Sequence, residues 1–334
     1  MIAMSDVRAG IEEELNTGPQ KSLASCSIPG TDFKGILSQP RASPSDSPAL
    51  QGGAPNRSQW PVFIIGAMRS GTTLLRYLTD SHERLACPPE SKFIAAFQEM
   101  MDYPQVLKAL LSLGCTPEEI RGNIRRFIDG IMDAYAERAC KPRWVDKTPN
   151  YYKCLPFIDD IYLGQVLYLV MIRYPLDSIA SLDEYFHPTA NREDPDVARI
   201  IKLHGTGRYG WAKYWNEVYE RIGWFSRSHP DRSHIIRYED LVHGTETCMH
   251  QVFNFIGEEP ERADLSRALT MRHTPGYQDD RIRKTSRVHT KSVERWRKWK
   301  TEEALAIWDI VEPIASKFGY TAPGQEHYDR AAAL

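Results

Sequence analysis

The amino-acid sequence lacks the features of several large protein classes. None of its apolar runs approaches the roughly 18 residues that cross a bilayer, and its N-terminus, MIAMSDVRAGIEEEL, lacks the basic and apolar stretches of a secretory signal. No two of the six cysteines form a C-x-x-C pair, and no H-E-x-x-H pattern occurs. These absences argue against a membrane protein, a disulfide framework and a metal site. They predict a cytoplasmic protein with buried free thiols.

Excess charge is also missing, since the 334 residues carry a formal net charge of −2, which gives no reason to expect a nucleic-acid-binding protein. The sequence does contain 42% hydrophobic residues, which is ample for a globular core. Residues 1–57 differ, with six Pro, six Gly and eight Ser, and they bury too little apolar surface to offset their ordering entropy. We therefore predict a flexible leader over 1–57, a single domain over 58–325 and a tail over 326–334.

Apolar segments and helical patterns alternate along the predicted domain. The continuous apolar run QVLYLVMIR is typical of a strand that is covered on both faces. Alternating strands and helices predict a three-layer α/β domain in which helices flank a central parallel sheet. The predicted strands are 61–65, 143–146, 165–173 and 234–237. The predicted helices are 72–81, 175–186, 205–229, a stretch from 239 to 256 and a region over 91–139 that breaks near 114–117.

The stretch GAMRSGTT, which follows the first predicted strand, has almost the spacing of a nucleoside-triphosphate phosphate loop. A strand, a glycine turn and a helix that begins at Thr72 place backbone N–H groups around an anion. Gly66 lets the backbone approach closely. The residues predicted to surround the anion are Arg69, Ser70, Gly71, Thr72 and Thr73.

This loop differs from that of a nucleoside triphosphatase in one decisive position. The lysine that reaches the β- and γ-phosphates is missing after Gly71, and the cation stands earlier, at Arg69. Neither QVLYLVMIR nor the later HIIRYED ends in the aspartate that would hold magnesium. The loop is therefore predicted to bind phosphate without transferring a γ-phosphoryl group.

With the residues after it, RSGTTLLRYLTDSH, Cys87 and Glu90, this loop resembles the 5′-phosphosulfate-binding loop of sulfotransferases that use 3′-phosphoadenosine 5′-phosphosulfate (PAPS). Within them it is most similar to the tyrosylprotein sulfotransferases and their soluble bacterial relatives, over roughly residues 60–320. The resemblance implies a P-loop-like fold, PAPS as co-substrate, 3′,5′-ADP as product and no metal.

Three further motifs carry this resemblance residue by residue. In VMIRYPLDSIAS, the strand-end Arg173 and Ser181 are similar to the pair that grips the 3′-phosphate, a task suited to a guanidinium fork. In WVDKTP, Lys147 is similar to the lysine that stabilises the sulfate and its bridging oxygen, although an exposed Asp146–Lys147 pair is the alternative. In IIRYEDLV, Tyr238 resembles the tyrosine that contacts the adenine, although a core-edge tyrosine is the alternative.

The segment RIRKTSRVHTKSVERWRKWK, residues 281–300, has nine Lys and Arg against one Glu. Positive charge of this density suits a ligand with several negative charges. Ser286, Ser292 and Lys298 resemble the family segment that closes over the nucleotide. A nucleic-acid-binding patch and a solvated helix face remain alternatives.

Glu90 is the predicted general base, because in the family that this chain resembles a glutamate at this place removes the proton of the acceptor. Pro88 and Pro89 stiffen the backbone before it, where the family has glycine and glutamate. A helix N-terminal glutamate is the alternative. Arg69 and Lys147 complete the predicted catalytic set. His82 is the second candidate for the base, although a structural role as a helix cap is favoured for it.

Two functions follow from these motifs. The first is PAPS-dependent transfer of a sulfuryl group to a hydroxyl, or less favourably an amine, of an acceptor. The second is a P-loop protein that binds a nucleotide or nucleic acid without sulfotransfer. A small-molecule acceptor is expected because the membrane anchor of the family's Golgi members has no counterpart here, and a protein tyrosine stays open. The helix with Trp211, Tyr214, Trp215 and Trp224 is predicted to pack into the core.

Overall fold

Five parallel strands, β1 (Val62–Gly66), β2 (Leu85–Ala86), β3 (Arg143–Lys147), β4 (Leu167–Ile172) and β5 (Ser233–Arg237), form the central sheet. Their spatial order is β2-β3-β1-β4-β5, so β1 lies in the middle and pairs with β3 and β4. The structure is a computed structural model that describes residues 57–186, 195–276 and 280–325. The predicted tail, and all of the predicted leader except Arg57, lie outside the described residues.

Helices cover both faces of this sheet. Within the described ranges the α-helices are α1 (Thr72–Asp80), α2 (Phe93–Met101), α3 (Pro104–Ser112), α4 (Pro117–Arg138), α5 (Leu155–Ile161), α6 (Pro175–Tyr185), α7 (Pro195–His204), α8 (Gly207–Ser228), α9 (Tyr238–His243), α10 (Thr245–Ile256) and α11 (Thr301–Ala315). Short 3₁₀ helices span Arg57–Gln59, Pro149–Lys153, Pro260–Arg262, Asp280–Lys284, Arg295–Lys298 and Ser316–Phe318. None of the described helices is both long and apolar enough to cross a bilayer.

The two sheet faces differ in the side chains that they bury. Successive strand residues point to opposite faces, and Val62 and Ile64 pack in a buried aliphatic cluster with α1 and α10. Phe63 points the other way, and its ring lies 6.3 Å from the ring of Tyr168. Tyr168 in turn contacts Phe225 of α8 at 5.0 Å. The predicted three-layer α/β domain with a parallel sheet is therefore confirmed.

Most of the predicted elements are present, with shifts of one or two residues at their ends. β4 is buried at all six positions, as expected for a strand covered on both faces. The region predicted as helical over 91–139 contains a second break at 102–103, before the proline that begins α3. The stretch from 239 to 256 is two helices, which meet at Gly244. β2, α5, α7 and α11 were not predicted.

Arg143 fastens the start of the domain to the sheet. Its buried guanidinium donates to the carbonyl oxygens of Trp60, at 2.6 Å, Arg57, at 2.8 Å, and Ile256, at 2.8 Å. It also pairs with the Glu258 carboxylate at 3.0 Å. Arg57, the last residue of the predicted leader, is thus tied to the domain.

The cysteines are free thiols, but their burial is not uniform. Cys87, Cys154 and Cys248 are buried as predicted, Cys115 is half-buried, and Cys26 lies outside the described residues. Cys140 is exposed, because it follows the C-terminal end of α4 in a left-handed turn with φ of 54°. The prediction of burial is wrong at Cys140.

The aromatic side chains of α8 are split between the core and the surface. Trp211, Tyr214 and Trp215 are buried, as predicted, whereas the Trp224 side chain is 61% exposed. With about 3.6 residues per turn, Trp224 lies on the side of the helix opposite to Trp211. The prediction of core packing is wrong for Trp224.

Candidate active site

The carboxyl ends of all five strands contribute to one region. Because the strands are parallel, these ends meet at the same sheet edge, which is where α/β sheets bind ligands. β1 leads into the glycine loop, and the segment after β2 carries Glu90. Lys147 ends β3, Arg173 follows β4, and Tyr238 follows β5. The sheet order puts the loop in the centre, Glu90 and Lys147 on one side of it, and Arg173 and Tyr238 on the other.

The two loop glycines stand where a side chain would collide with a neighbouring strand or ring. A Cβ atom on Gly66 would lie 2.4 Å from the carbonyl oxygen of Met171 in β4. A Cβ atom on Gly71 would lie 2.5 Å from the Tyr238 ring, and the φ angle of Gly71 is +104°. The tight loop after β1 therefore requires glycine at both positions.

Substitution of Gly71 by alanine is expected to destabilise the protein, because alanine adopts this φ angle only with strain of about 1–3 kcal/mol. Gly130 is a matched control, since it lies in α4 and a Cβ there would meet nothing within 4 Å. Gly130→Ala is expected to raise the free energy of unfolding by about 0.5–1 kcal/mol. Denaturant unfolding of both variants checks this difference in sign. Equal effects in the two variants would contradict the assigned loop conformation.

Two tyrosines of α8 accept hydrogen bonds from the backbone of the glycine loop. The backbone N–H of Met68 donates to the Tyr214 hydroxyl at 3.0 Å, and that of Ala67 donates to the Tyr219 hydroxyl at 3.2 Å. Tyr219 donates onward to the carbonyl of Met171 at 2.9 Å. Sequence reasoning missed this role, because the pattern of α8 shows only that these rings are buried.

A cleft of about 190 Å³ opens on the β4–β5 side of the loop. Eight of the predicted donor-binding residues line it: Arg69, Gly71, Thr72, Thr73, Arg173, Ser181, Tyr238 and Ser292. Among the described residues, four arginines line the cleft and no carboxylate does. Such a lining favours a ligand with several negative charges.

Three predicted donor-binding residues do not line this cleft. The Ser70 hydroxyl is buried and donates to the carbonyl of Ala67 at 2.7 Å, so it closes the loop instead. Ser286 and Lys298 are exposed. Residues 281–300, here called the basic segment, also bring Thr285, Arg287, His289 and Arg295 to the cleft. Sequence reasoning did not select these four residues.

Arg173 is the central cation of the cleft. Its guanidinium donates to the carbonyl of Arg69 at 3.1 Å and to the carbonyl of Ser292, and it lies 4.8 Å from the centre of the Tyr238 ring. Its buried Nε has no hydrogen-bond partner among the described residues, and neither has the buried Nδ1 of His289. Buried polar atoms are normally paired, so these two nitrogens fit a cleft that takes a polar ligand.

Arg69 and Ser181 meet at the opposite wall of the cleft. The Nε of Arg69 donates to the Ser181 hydroxyl at 3.3 Å, and its guanidinium lies 4.6 Å from the centre of the Tyr185 ring. Arg69 has a φ angle of 67°, which is uncommon for a residue other than glycine. The loop therefore directs this arginine toward α6 and the cleft.

The basic segment is fastened over the cleft by the start of α6. The Asp177 carboxylate accepts hydrogen bonds from the backbone N–H of Glu294, at 2.8 Å, and of Trp296, at 3.3 Å. Burial raises the pKa of Asp177, and the Arg173 guanidinium opposes that rise. This contact explains how residues 281–300, which form only short 3₁₀ helices and loops, keep Ser292 and Arg295 beside the cleft.

Glu90 and Lys147 form an ion pair on the other side of the loop. The Lys147 Nζ lies 2.7 Å from the Glu90 carboxylate, and the Lys147 side chain is fully buried. Burial lowers the pKa of Lys147, and the Glu90 charge opposes that change. The alternative of an exposed Asp146–Lys147 pair is wrong, because both residues are buried and Lys147 pairs with Glu90.

β3 carries Asp146, which the sequence analysis considered only as half of an exposed pair with Lys147. Asp146 is the penultimate residue of this strand, which pairs with β1 beside the loop. Its carboxylate is engaged by the hydroxyls of Ser91, at 2.5 Å, and Thr148, at 2.9 Å. No group of three His, Cys, Asp or Glu within the described ranges is placed to hold a metal ion.

His82, the second candidate for the base, has a structural role. Its ring is fully buried, with Nε2 3.0 Å from the Glu259 carbonyl and Nδ1 accepting from the N–H of Arg84 at 3.1 Å. Burial lowers the pKa of His82, so the site favours the neutral imidazole and not a cation at the end of the helix.

The chain matches the family model described as "Sulfotransferase family" over residues 61–264, which include the loop, Glu90, Lys147, Arg173 and Tyr238. The chain belongs to the sulfotransferase family. The predicted family resemblance is confirmed. The matched range also covers the five strands whose ends form the site.

The curated proteins that this chain resembles carry different names. The nodulation protein NoeE of Sinorhizobium fredii is 27% identical over 266 residues, which cover 75% of this chain and 63% of that protein. A putative protein-tyrosine sulfotransferase of Caenorhabditis briggsae is 23% identical over 262 residues, which cover 78% of this chain and 88% of the relative. These names leave the acceptor of this sulfotransferase open.

Solved structures show the same fold. The sulfotransferase domain of the Synechococcus PCC 7002 olefin synthase matches with a TM-score of 0.55 and 23% identity, over 79% of this chain and 96% of that domain. The sulfotransferase domain from the curacin biosynthetic pathway matches with a TM-score of 0.53 and 21% identity, over 78% of this chain and 98% of that domain. The P-loop-like α/β fold of this chain is thus shared with known sulfotransferases.

Proposed function

We propose that this sulfotransferase moves a sulfuryl group from PAPS to a hydroxyl of an acceptor, with Glu90 as the general base. The observation that carries the proposal is the division of the sheet edge. A cleft with four arginines and no described carboxylate lies on one side of the loop, and the ion pair between half-buried Glu90 and buried Lys147 lies on the other. A donor that spans the loop from the cleft would present its transferable group toward this pair.

The residues of the cleft fit the donor. Arg173 and Ser181 are the proposed ligands of the 3′-phosphate, and Tyr238 is the proposed neighbour of the adenine. The Nε of Arg173 and the Nδ1 of His289 have no hydrogen-bond partner in the described part of the chain, which supports a bound polyanion. Arg69, Gly71, Thr72 and Thr73 would surround the 5′-phosphosulfate, where backbone N–H groups of the first turn of α1 add donors. PAPS supplies an activated sulfuryl group that leaves 3′,5′-ADP behind.

Glu90 and Lys147 carry the proposed transfer. The Glu90 carboxylate takes the proton of the acceptor hydroxyl as that oxygen bonds to sulfur, while the bond from sulfur to the phosphate oxygen breaks. Lys147 and Arg69 stabilise the charge that develops on the sulfuryl and bridging oxygens. Positioning and charge stabilisation account for catalysis of this kind, as in phosphoryl transfer.

Donor specificity is tested by thermal unfolding, with 3′,5′-ADP in EDTA and, in a separate sample without EDTA, ATP with Mg²⁺. At a hundredfold excess over its Kd, 3′,5′-ADP is expected to stabilise the protein by about 2.7 kcal/mol, which corresponds to a rise in Tm of about 5–10 °C. ATP with Mg²⁺ is expected to give a smaller rise. Stabilisation by ATP–Mg²⁺ alone would instead support the nucleotide-binding alternative.

The acceptor is proposed to be a small molecule in the cytoplasm. A protein tyrosine is the second candidate, because several relatives are named as protein-tyrosine sulfotransferases. Incubation of the enzyme with PAPS and a metabolite extract is expected to yield a product heavier by one SO₃. A tyrosine peptide in a parallel incubation separates the two candidates. Gain of SO₃ on the peptide alone would overturn the small-molecule proposal.

A further inference from the structure

Two neighbouring contacts join the segment after β2 to the end of β3. Glu90 pairs with Lys147 at 2.7 Å, and the next residue, Ser91, donates its hydroxyl to the Asp146 carboxylate at 2.5 Å. Asp146 and Lys147 are consecutive and point to opposite faces of the strand. The hydrogen bond between Ser91 and Asp146 therefore lies directly beside the ion pair between Glu90 and Lys147, and each of its residues is the sequence neighbour of one member of that pair.

The donors that lead to Asp146 form a directed chain. The backbone N–H of Ile94 donates to the Tyr151 hydroxyl at 3.2 Å, and the Tyr151 and Ser91 hydroxyl oxygens are 2.7 Å apart. Because Ser91 donates to Asp146, the Tyr151 hydroxyl donates to Ser91. Thr148 accepts from the N–H of Ser91 at 3.1 Å and donates to Asp146 at 2.9 Å. Both branches end on one carboxylate, which must be ionised to accept them all.

The backbone on either side of Glu90 has an unusual conformation. Pro88 and Pro89 precede Glu90, and Lys92 has a left-handed φ angle of 57° at the N-cap of α2. The hydrogen bonds that join Ser91 to Asp146 and to Thr148 hold this turn, which presents Glu90.

We propose that Asp146 is a positioning residue that acts through Ser91 to hold Glu90 against Lys147. This inference rests on the proposed role of Glu90 as the base. Asp146 itself touches neither acceptor nor donor, since its carboxylate faces Ser91 and Thr148 on the sheet face away from Lys147. When Asp146 loses its charge, the hydroxyls of Ser91 and Thr148 lose a common acceptor, and the turn that carries Glu90 loosens.

The charge of Asp146 changes in an accessible pH range. Burial raises the pKa of Asp146 to about 6, against the hydrogen bonds of Ser91 and Thr148, which lower it. Lys147, which lowers this pKa, and Glu90, which raises it, are the charged groups around it. The other titratable neighbours are Tyr151, Tyr162 and Cys87, and burial raises the pKa of each of them, so they stay neutral.

The change in Tm of Asp146→Asn distinguishes a positioning role of Asp146 from a role in the stability of the fold. An acid whose pKa is higher in the folded than in the unfolded protein favours folding while it is protonated. This stabilisation is lost as the pH rises through the folded pKa. Asp146→Asn removes the cost of ionising this buried acid and is expected to leave the Tm at neutral pH within about 3 °C of the parent value or above it. A merely structural aspartate would give the opposite result, with a lower Tm and an unchanged kcat.

The closing experiment compares Asp146→Asn and Ser91→Ala with the parent protein. In both variants kcat is expected to fall about tenfold or more, with the affinity for 3′,5′-ADP unchanged. The parent kcat is expected to fall as the pH drops through about 6, where Asp146 gains a proton, and Asp146→Asn is expected to lack this transition. Asp177→Asn is the matched control, a second buried aspartate, which is expected to change the affinity for 3′,5′-ADP instead.

Hydrogen–deuterium exchange over residues 88–101 gives a readout that needs no acceptor. Lower protection factors there in Asp146→Asn and Ser91→Ala, and in the parent below pH about 6 after correction for the intrinsic pH dependence of amide exchange, support the proposal. Unchanged exchange in both variants, or a kcat within twofold of the parent in both, would overturn it. If the parent protein transfers no sulfuryl group, the proposed role of Glu90 as the base is disproved. Hydrogen–deuterium exchange over residues 88–101 then still tests whether Asp146 holds the turn.

Discussion

Glu90→Gln is expected to lower kcat by at least about a hundredfold, because it removes the proton acceptor and general bases contribute about 10²–10⁴-fold. Glutamine keeps the shape of the side chain, and its carbonyl oxygen still accepts a hydrogen bond from Lys147, which lies 2.7 Å from the carboxylate in the parent. The donor cleft lies on the other side of the loop, so calorimetry is expected to show the affinity for 3′,5′-ADP within about threefold of the parent.

A variant that keeps the charge serves as the control for this result. Glu90→Asp retains a carboxylate but withdraws it by one methylene, so its kcat is expected to lie between those of the parent and Glu90→Gln. Nearly full turnover in Glu90→Gln would place the base elsewhere. His82 is a poor substitute, since its ring is buried and both of its nitrogens are engaged.

Arg173→Ala is expected to weaken binding of 3′,5′-ADP by about 2–5 kcal/mol, the range for truncation of one partner of a buried charge pair. This is a loss of roughly 30-fold to several thousand-fold in Kd. The physical reason is the position of the guanidinium, between the loop carbonyl of Arg69 and the ring of Tyr238, with a buried Nε that has no described partner. Isothermal calorimetry measures the change directly.

The same substitution also removes the contact of Arg173 with the carbonyl of Ser292. Arg173→Lys is therefore the matched control, because it keeps the charge and loses the fork that two phosphate oxygens engage. Its affinity is expected to lie between those of the parent and the alanine variant. A lower Tm without loss of 3′,5′-ADP affinity in Arg173→Ala would show that this arginine fastens the basic segment and does not bind phosphate.

Much of the fold was predictable because its signals are local. β4 is an unbroken apolar run, and α4 begins at a capping box in which Thr116 and Glu119 bond each other's backbone. β2 has only two residues, too few for any periodicity. α11 contains Pro313, which normally ends a helix. These two elements depend on tertiary packing and not on local pattern.

The candidate site was predictable where a residue ends a strand. Lys147, Arg173 and Tyr238 all follow this rule, and parallel pairing then brings them to one edge. The basic segment has no regular period, so sequence reasoning chose Ser286 where Thr285 lines the cleft. The hydroxyls of Tyr214 and Tyr219 were missed because hydrogen bonds to a distant loop leave no trace in the pattern of a helix.

The central position of β1 has a consequence for how the protein is made. β1 is synthesised first but pairs with β3 and β4, whose residues follow much later in the chain. Arg143 adds contacts across sequence separations of 86 residues to Arg57 and 113 residues to Ile256. Contacts of such long range slow folding. We therefore expect the nascent chain to expose its apolar β1 on the ribosome until most of the domain has emerged, and to depend there on chaperones that shield it.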